Sequence, residues 1–166
     1  MKMRFPLALV MILVVAGSAP VAAREATVPF HAYFAMQPMI VGVDPQGCLI
    51  QELPGEGQTT HLGRSSWYSD AEACFDPSTM SGTQSGTSVF TAANGDQLIG
   101  TFSGVAAIVT TPTGPVAEFS GTYWVTEGTG RFVGYTGTGV YWGTATLALP
   151  EDTGELYFDG TLTKPE

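Results

Sequence analysis

The sequence predicts an all-β protein that folds as a single antiparallel up-and-down β-barrel of about eight strands, with a β-sandwich as the alternative. No segment shows a sustained helical periodicity, and alternating apolar and polar runs are separated by short clusters of turn-forming residues. In addition, four segments repeat one pattern, in which a Gly-Thr pair lies between two apolar residues. These segments are Leu98–Phe102 (LIGTF), Phe119–Tyr123 (FSGTY), Tyr141–Ala145 (YWGTA) and Phe158–Leu162 (FDGTL).

The repeated glycine favours the barrel over the sandwich. Residues i, i+2 and i+4 of a strand share a face, so each copy places a large residue, a glycine and a second apolar residue on one side of the sheet. Glycine weakens a strand interior unless the backbone bends there or approaches another group closely. A glycine at the same place in four strands therefore indicates a sheet that coils and closes. These glycines either leave an internal cavity or allow neighbouring aromatic rings to fill the interior.

The alternating runs predict where the strands lie, and the clusters of turn-forming residues predict where one strand ends and the next begins. Asn94-Gly95 is the clearest hairpin signal, and Pro54–Gly57 (PGEG) is a further predicted turn. Ser69–Phe75 (SDAEACF) predicts one helical turn, which Pro77 ends. The predicted strands are Thr27–Phe34, Cys48–Leu53, Thr59–Tyr68, Ser85–Ala92, Gln97–Val109, Val116–Thr126, Gly139–Leu149 and Leu156–Thr163.

Residues 1–23 have the features of a signal peptide, which leaves residues 24–166 as one barrel domain. Lys2 and Arg4 precede an apolar run that is too short for a membrane span, and Val21-Ala22-Ala23 resembles a cleavage site. We therefore expect an exported protein, periplasmic or secreted, that begins at Arg24 and has no stable membrane insertion after cleavage.

Charge and cysteine content limit the partners and predict one covalent bond. The formal net charge is −9, and it becomes −11 when the two cationic residues of the leader are removed. Such a surface is a poor partner for nucleic acid, because phosphate binding relies on lysine and arginine.

Cys48 and Cys74 are the only cysteines, and in an exported protein such a pair predicts a disulfide. Two separate buried thiols are the alternative.

A glycine-rich segment carries the resemblance of this chain to known families. Glu127–Gly143 (EGTGRFVGYTGTGVYWG), with His61–Ser66 (HLGRSS) and Phe90–Gly104 (FTAANGDQLIGTFSG), resembles a group of exported bacterial proteins of unknown function. The GTGRF hairpin also resembles that of the allene oxide cyclase and dirigent families, which are calycin-like eight-stranded barrels. The resemblance implies a barrel, and no cyclase catalytic residue matches this chain. Within the hairpin, Arg131 is expected at the turn and Phe132 under the barrel end.

Six residues are candidates for ligand binding inside the barrel. If Leu62 marks the inner face of its strand, Arg64 and Tyr68 point inward, where Glu118 or Asp96 would have to pair with the arginine. Arg64 could equally lie on the surface. The candidate set is Arg64, Tyr68, Phe102, Phe119, Tyr123 and Tyr141.

Other chemistry finds little support in the sequence. His61 has no adjacent nucleophile or acid that would make it a general base, and no metal site or cofactor is predicted. Trp124 and Trp142 lie on the nominally polar strand faces and predict a contact surface, which an oligomer could use; cross-strand pairing with their neighbours is the alternative. The expected function is therefore binding of a small apolar ligand or interaction with another protein. A cyclase-like or dirigent-like enzyme that shapes a substrate is the alternative.

Overall fold

The computed structural model describes residues 26–147 and 153–165, so the predicted signal peptide lies outside the described residues. The described chain forms nine strands and one 3-10 turn. They are β1 (Ala26–Met36), β2 (Met39–Val43), β3 (Leu49–Thr59), β4 (Gly63–Asp76), β5 (Ser81–Ala92), β6 (Gln97–Thr111), β7 (Gly114–Gly128), η1 (Gly130–Phe132), β8 (Thr136–Thr146) and β9 (Gly154–Lys164). None of these elements is a helix long and apolar enough to cross a membrane.

The strands form one antiparallel sheet that closes into a ring, which confirms the predicted barrel. Each strand from β3 to β8 pairs with the next one along the chain, and β1 pairs with both β9 and β3. Eight strands therefore complete the ring, and β2 is an additional strand that pairs with β3. The closed ring removes the exposed edges that an open sheet would have, apart from the outer edge of β2.

β3 changes partner midway, and the sequence explains where. Its first half pairs with β2 up to Glu52, and its second half pairs with β1 from Gly55 onwards. Pro54 lies between the two halves, where its carbonyl accepts a 2.9 Å hydrogen bond from Gln37. Proline has no backbone N–H to donate, so it fits the position at which no partner strand requires one. The predicted turn at Pro54–Gly57 is therefore wrong.

The inner face of the barrel is packed with aromatic rings that lie against inward-facing glycines. Gly121 in β7 is opposite Tyr141 in β8, and a Cβ at Gly121 would lie 2.7 Å from Cε1 of Tyr141. Gly139 in β8 is opposite Tyr123 in β7, and a Cβ there would lie 2.8 Å from Cε1 of that ring. Because only a hydrogen stands at each glycine, each tyrosine ring packs directly on the neighbouring backbone.

One end of the barrel is sealed by this aromatic core and by the glycine-rich hairpin. Phe132 of η1 is buried, and the Arg131 guanidinium lies 4.8 Å from the centre of its ring. Arg131 also donates to the carbonyl of His61 at 3.1 Å and lies 3.7 Å from the Asp96 carboxylate. The predicted positions of Arg131 and Phe132 are confirmed.

A disulfide stands near the opposite end. Cys48 and Cys74 are bonded to each other, as the sequence predicts. They flank the register pair Leu49–Ala73, so the bond joins the start of β3 to the end of β4. Residues 69–75 are part of β4 and not a helical turn. Ala71 and Ala73 continue the inward alternation of that strand, and burial of this face outweighs the local helical signal.

Candidate functional site

The end of the barrel near the disulfide opens into an apolar cavity of about 340 Å³. This volume falls within the usual range of small-molecule sites. The cavity extends from the mouth between β2, β4, β6 and β8 down to the aromatic core. Of the described residues, no charged side chain lines it.

The floor and the walls of the cavity come from different kinds of residue. Trp67, Phe102 and Phe158 form the floor, and their rings also belong to the packed core. Small side chains on neighbouring strands line the wall above them, among them Ala106 and Ala145. Large rings below and alanines above leave the space at the open end. The walls are held by the closed hydrogen-bonded ring and the floor by ring-to-ring packing, so the cavity is preformed.

A few polar side chains interrupt the apolar lining, namely Gln51, Gln84, Ser88 and Tyr141, and two of them are bonded to each other. The side-chain amide of Gln84 in β5 donates a 2.9 Å hydrogen bond to the hydroxyl oxygen of Tyr141 in β8. Both residues line the cavity. Burial raises the pKa of Tyr141 to about 12, although the Gln84 bond opposes the shift. The phenol is therefore neutral at physiological pH, and its own O–H remains a donor for a further acceptor.

A second hydrogen bond fixes the ring that forms the floor. The indole nitrogen of Trp67 donates to the Ser88 hydroxyl at 3.3 Å, and both residues are buried. Buried indole nitrogens ordinarily have a partner, and this one comes from the adjacent strand β5. The bond satisfies the indole and leaves its ring available to an apolar ligand.

The structure brings three of the six predicted site residues to the cavity. Phe102, Phe119 and Tyr141 line it. Tyr123 lies deeper in the core, where its ring centre is 5.2 Å from that of Phe158 and its hydroxyl has no hydrogen-bond partner among the described residues. Burial raises the pKa of Tyr123, and the charge of Asp159 adds to the effect. Whether any of these residues binds a ligand stays a prediction.

Arg64 and Tyr68 point to the outside of the barrel, so their expected inward orientation is wrong. The inner face of β4 carries Ser65 and Trp67, and both predicted residues are exposed. Tyr68 donates instead to the Asp70 carboxylate at 3.1 Å. The error arose because Leu62, although buried, does not belong to a strand.

The turn before β4 explains why Leu62 misled the alternation. His61 has a φ of +69° and Gly63 a φ of +73°, so the chain reverses between β3 and β4 at these residues. A reversal of this kind resets which residues face inward. His61 lies in this turn, where its Nε2 is 2.8 Å from the Pro29 carbonyl oxygen, and not in the predicted strand.

Sequence reasoning missed Gln84, Trp67 and the contribution of β2. Gln84 occupies an inward position of the series Gly82, Gln84, Gly86, Ser88 and Phe90, but its first members are too small or polar to reveal the face. β2 was not predicted as a strand, and its Ile40 lies at the cavity mouth. The period of two through Phe90 could have identified Gln84.

The residues that lie close enough to hold a metal ion do not offer a metal site. Within the described chain, one such group is found, formed by Cys48, Glu72 and Cys74. The two cysteines are already bonded to each other, so neither provides the thiolate that binds a metal.

Comparisons with known proteins identify a solved structure with a similar fold. No family model matches the chain, and no curated protein matches it. The pterocarpan synthase dirigent protein GePTS1 is similar in structure, with a TM-score of 0.46 and 15% sequence identity. The match covers 93% of this chain and 100% of that chain. The resemblance of the glycine-rich hairpin to exported bacterial proteins and to allene oxide cyclases stays a prediction.

Proposed function

We propose that the protein is an exported carrier or receptor that binds a small apolar molecule inside the barrel. The observation that carries this proposal is the preformed cavity of about 340 Å³, whose described lining is mostly apolar and whose polar side chains, the Gln84–Tyr141 pair among them, are neutral. Apolar walls favour a ligand with little charge, because a buried charge without a partner is costly. The absence of charged side chains from the described lining agrees with such a ligand.

The Gln84–Tyr141 pair adds selectivity for one chemical group. Tyr141 is neutral and already accepts a bond from Gln84, so its hydroxyl hydrogen is free to donate. An apolar ligand with one carbonyl or ether oxygen would satisfy that donor. A pure hydrocarbon would leave it without a partner, which costs free energy in an apolar site.

Filling the cavity tests the site. Ala106 faces the cavity, and Ala107, the next residue of β6, faces outward. We expect Ala106→Phe to abolish binding of 1-aminoanthracene, a neutral apolar dye, and Ala107→Phe to leave it unchanged. Fluorescence titration of the dye measures both, and Ala106→Leu provides a milder filling variant. Equal dye binding by all three variants would place the dye elsewhere and refute the proposal.

The selectivity has its own test. Tyr141→Phe removes the hydroxyl and keeps the ring. We expect the wild-type protein to bind 1-tetralone more tightly than naphthalene by roughly two- to tenfold, the range of one net hydrogen bond. The variant should lose this preference. An unchanged preference in the variant would show that Tyr141 does not recognise the oxygen.

A cyclase-like or dirigent-like enzyme is the second candidate. The neutral Tyr141 hydroxyl in an apolar cavity favours it, because such a donor could polarise an oxygen while the walls hold a flexible substrate in a reactive shape. The two candidates differ in the fate of the ligand. A carrier releases its ligand chemically unchanged, whereas an enzyme releases a product that mass spectrometry of the incubated mixture detects.

A further inference from the structure

A second concave surface lies on the outside of the barrel, on the opposite side of the same wall. It is a groove of about 900 Å³ across the outer faces of β5 to β9, and we call it the outer groove. The outer groove is defined by Trp142 and Tyr157, by the acidic residues Asp76, Glu118 and Glu155, and by Val105. Ala106 and Phe119 border both the outer groove and the internal cavity, whereas the six residues that define the outer groove do not line the cavity.

An aromatic row forms one side of the outer groove. Trp142 in β8 is opposite Tyr157 in β9, and Tyr157 is opposite Tyr33 in β1. The Trp142 and Tyr157 rings are nearly parallel, with an interplanar angle of 11° and centres 5.7 Å apart. Trp142 is 43% exposed, so part of its ring is available to a ligand.

Glu155 holds this row in place. It accepts hydrogen bonds from the hydroxyls of Tyr157 at 3.0 Å and Tyr33 at 3.4 Å. These two bonds limit the motion of the tyrosine rings. The aromatic surface is therefore ordered before any ligand arrives, which lowers the entropic cost of binding.

The charges of the outer groove are all negative. Glu118 in β7 and Glu155 in β9 are both opposite Thr144, which places each diagonally beside Trp142 on a neighbouring strand. Asp76 is also an anion, because hydrogen bonds from Ser78 lower its pKa. No lysine or arginine lines this groove in the described part of the chain, so the carboxylates have no cationic partner there.

We propose that the outer groove binds an organic ammonium cation over the Trp142 ring, between Glu118 and Glu155. The face of an indole is the best aromatic surface for a cation, and the two carboxylates supply the opposite charge. The net charge of −9 attracts such a ligand from solution and repels anions. A neutral sugar would use the ring but would gain nothing from the negative potential.

Trp124 provides a control within the same molecule. It is 41% exposed and lies on the outer face of β7, but its partners on the adjacent strands are Thr101 and Thr138. Exposure and residue type are thus matched, whereas Trp124 lacks both the acidic flanks and the stacked tyrosine of Trp142. Trp67 is buried and serves as a second internal reference.

The experiment is an NMR titration of the indole N–H resonances with tetramethylammonium chloride, at constant ionic strength. Trp→Phe variants assign the three signals. We expect the Trp142 signal alone to shift and saturate at roughly millimolar concentrations. Trp142→Ala removes this reporter, so its binding is followed through the backbone amide signals of Glu155 and Tyr157, and it should weaken about two- to fivefold, the effect of one exposed cation–π contact. Glu118→Gln combined with Glu155→Gln should weaken binding further and reduce its dependence on salt.

Four results would overturn the proposal. The Trp142 signal could fail to saturate, or Trp124 could shift equally, and either would show that no specific site exists. A shift with cellobiose or tert-butanol but not with the cation would assign the groove to a neutral ligand. A shift that follows protein concentration alone would assign it to self-association.

Discussion

Replacing Gly121 by valine tests the physical basis of the barrel most directly. A Cβ at this position would lie 2.7 Å from Cε1 of Tyr141 and 2.6 Å from Cα of Gly104, and it would also overlap the Ser103 carbonyl oxygen. Two of these three contacts are with backbone atoms, which cannot move without shifting a strand. The matched control is Thr122→Val, one residue along β7 on the outer face.

The expected difference between the two variants follows from these contacts. Insertion of extra methyl groups into a packed core costs about 1–3 kcal/mol. Tyr141 cannot easily move away from Gly121, because its ring centre is 5.3 Å from that of Phe102 and its hydroxyl is bonded to Gln84. We therefore expect a loss of about 3 kcal/mol or more for Gly121→Val. Thr122→Val should change stability by less than about 0.5 kcal/mol.

A second pair of variants, at Gly143 and Thr144, tests whether the cost of a new side chain falls when the neighbouring ring is able to move. A Cβ at Gly143 would overlap the Glu155 carbonyl oxygen, as one at Gly121 would overlap that of Ser103, but its other contacts are with the Phe119 ring at 2.6 Å and not with a second backbone atom. Phe119 lines the cavity, so this ring has space into which it can move. Gly143→Val should therefore cost less than Gly121→Val, and Thr144→Val should cost little. Both glycine variants should lose more stability than their threonine controls.

Urea denaturation with the disulfide intact measures all four variants, and equal slopes show that the unfolded states are comparable. Valine has a high strand propensity at every position, so a propensity effect cannot produce the contrast. Equal, small effects at the glycine and threonine positions would refute the close ring-to-glycine packing. The barrel would then lose its main physical explanation.

Three further predictions concern other parts of the molecule. N-terminal sequencing of exported protein should begin at Arg24, and an intact leader would contradict the predicted cleavage. Replacing Cys48 and Cys74 together by alanine should lower the free energy of unfolding by about 3 kcal/mol, measured by urea denaturation; an unchanged midpoint would show that the bond does not constrain the unfolded chain. Stability should also fall as the pH rises from about 10 to 12, because the unfolded chain then releases protons that the buried Tyr141 and Tyr123 retain. Unfolding midpoints across this range, with tyrosine-to-phenylalanine variants that should show a smaller loss, check the last prediction.

The second half of the barrel could be predicted from sequence because its inner and outer faces differ in chemistry. In β6, Leu98, Phe102 and Ala106 face inward and Thr101 and Ser103 outward, and the period of two is continuous. Hairpin turns such as Asn94-Gly95 can also be located from sequence, because they contain residues that favour the turn conformation. Gly95 has a φ of +89°, a conformation that glycine adopts without strain. Local sequence and tertiary burial agree in these strands, so either one reveals the structure.

The first half could not be predicted as well, because its signals are non-local. The inward face of β4 includes Ser65 and Ser69, which are buried although polar, so hydrophobicity does not mark that face. The turn at His61 resets the alternation through its backbone conformation, which side-chain pattern alone does not show. Three of the six candidate residues line the cavity, and their binding of a ligand stays a prediction. Arg64 and Tyr68 were assigned to the wrong side of the wall.

The structure also decides between the two explanations of the repeated glycines, and the answer links the fold to the cavity. The repeated glycines do not leave empty space: the rings of Tyr141, Phe119 and Tyr123 lie next to Gly121, Gly143 and Gly160, and the backbone of β7 lies next to Gly100. Each ring lies against a glycine backbone and so takes up less of the barrel centre than it would over a larger residue. Tyr123 lies in the packed core, whereas Tyr141 and Phe119 line the cavity together with the small wall residues. The cavity therefore depends on the glycines indirectly: they let these rings lie close to the wall of the barrel, and the alanines beside them leave the remaining space.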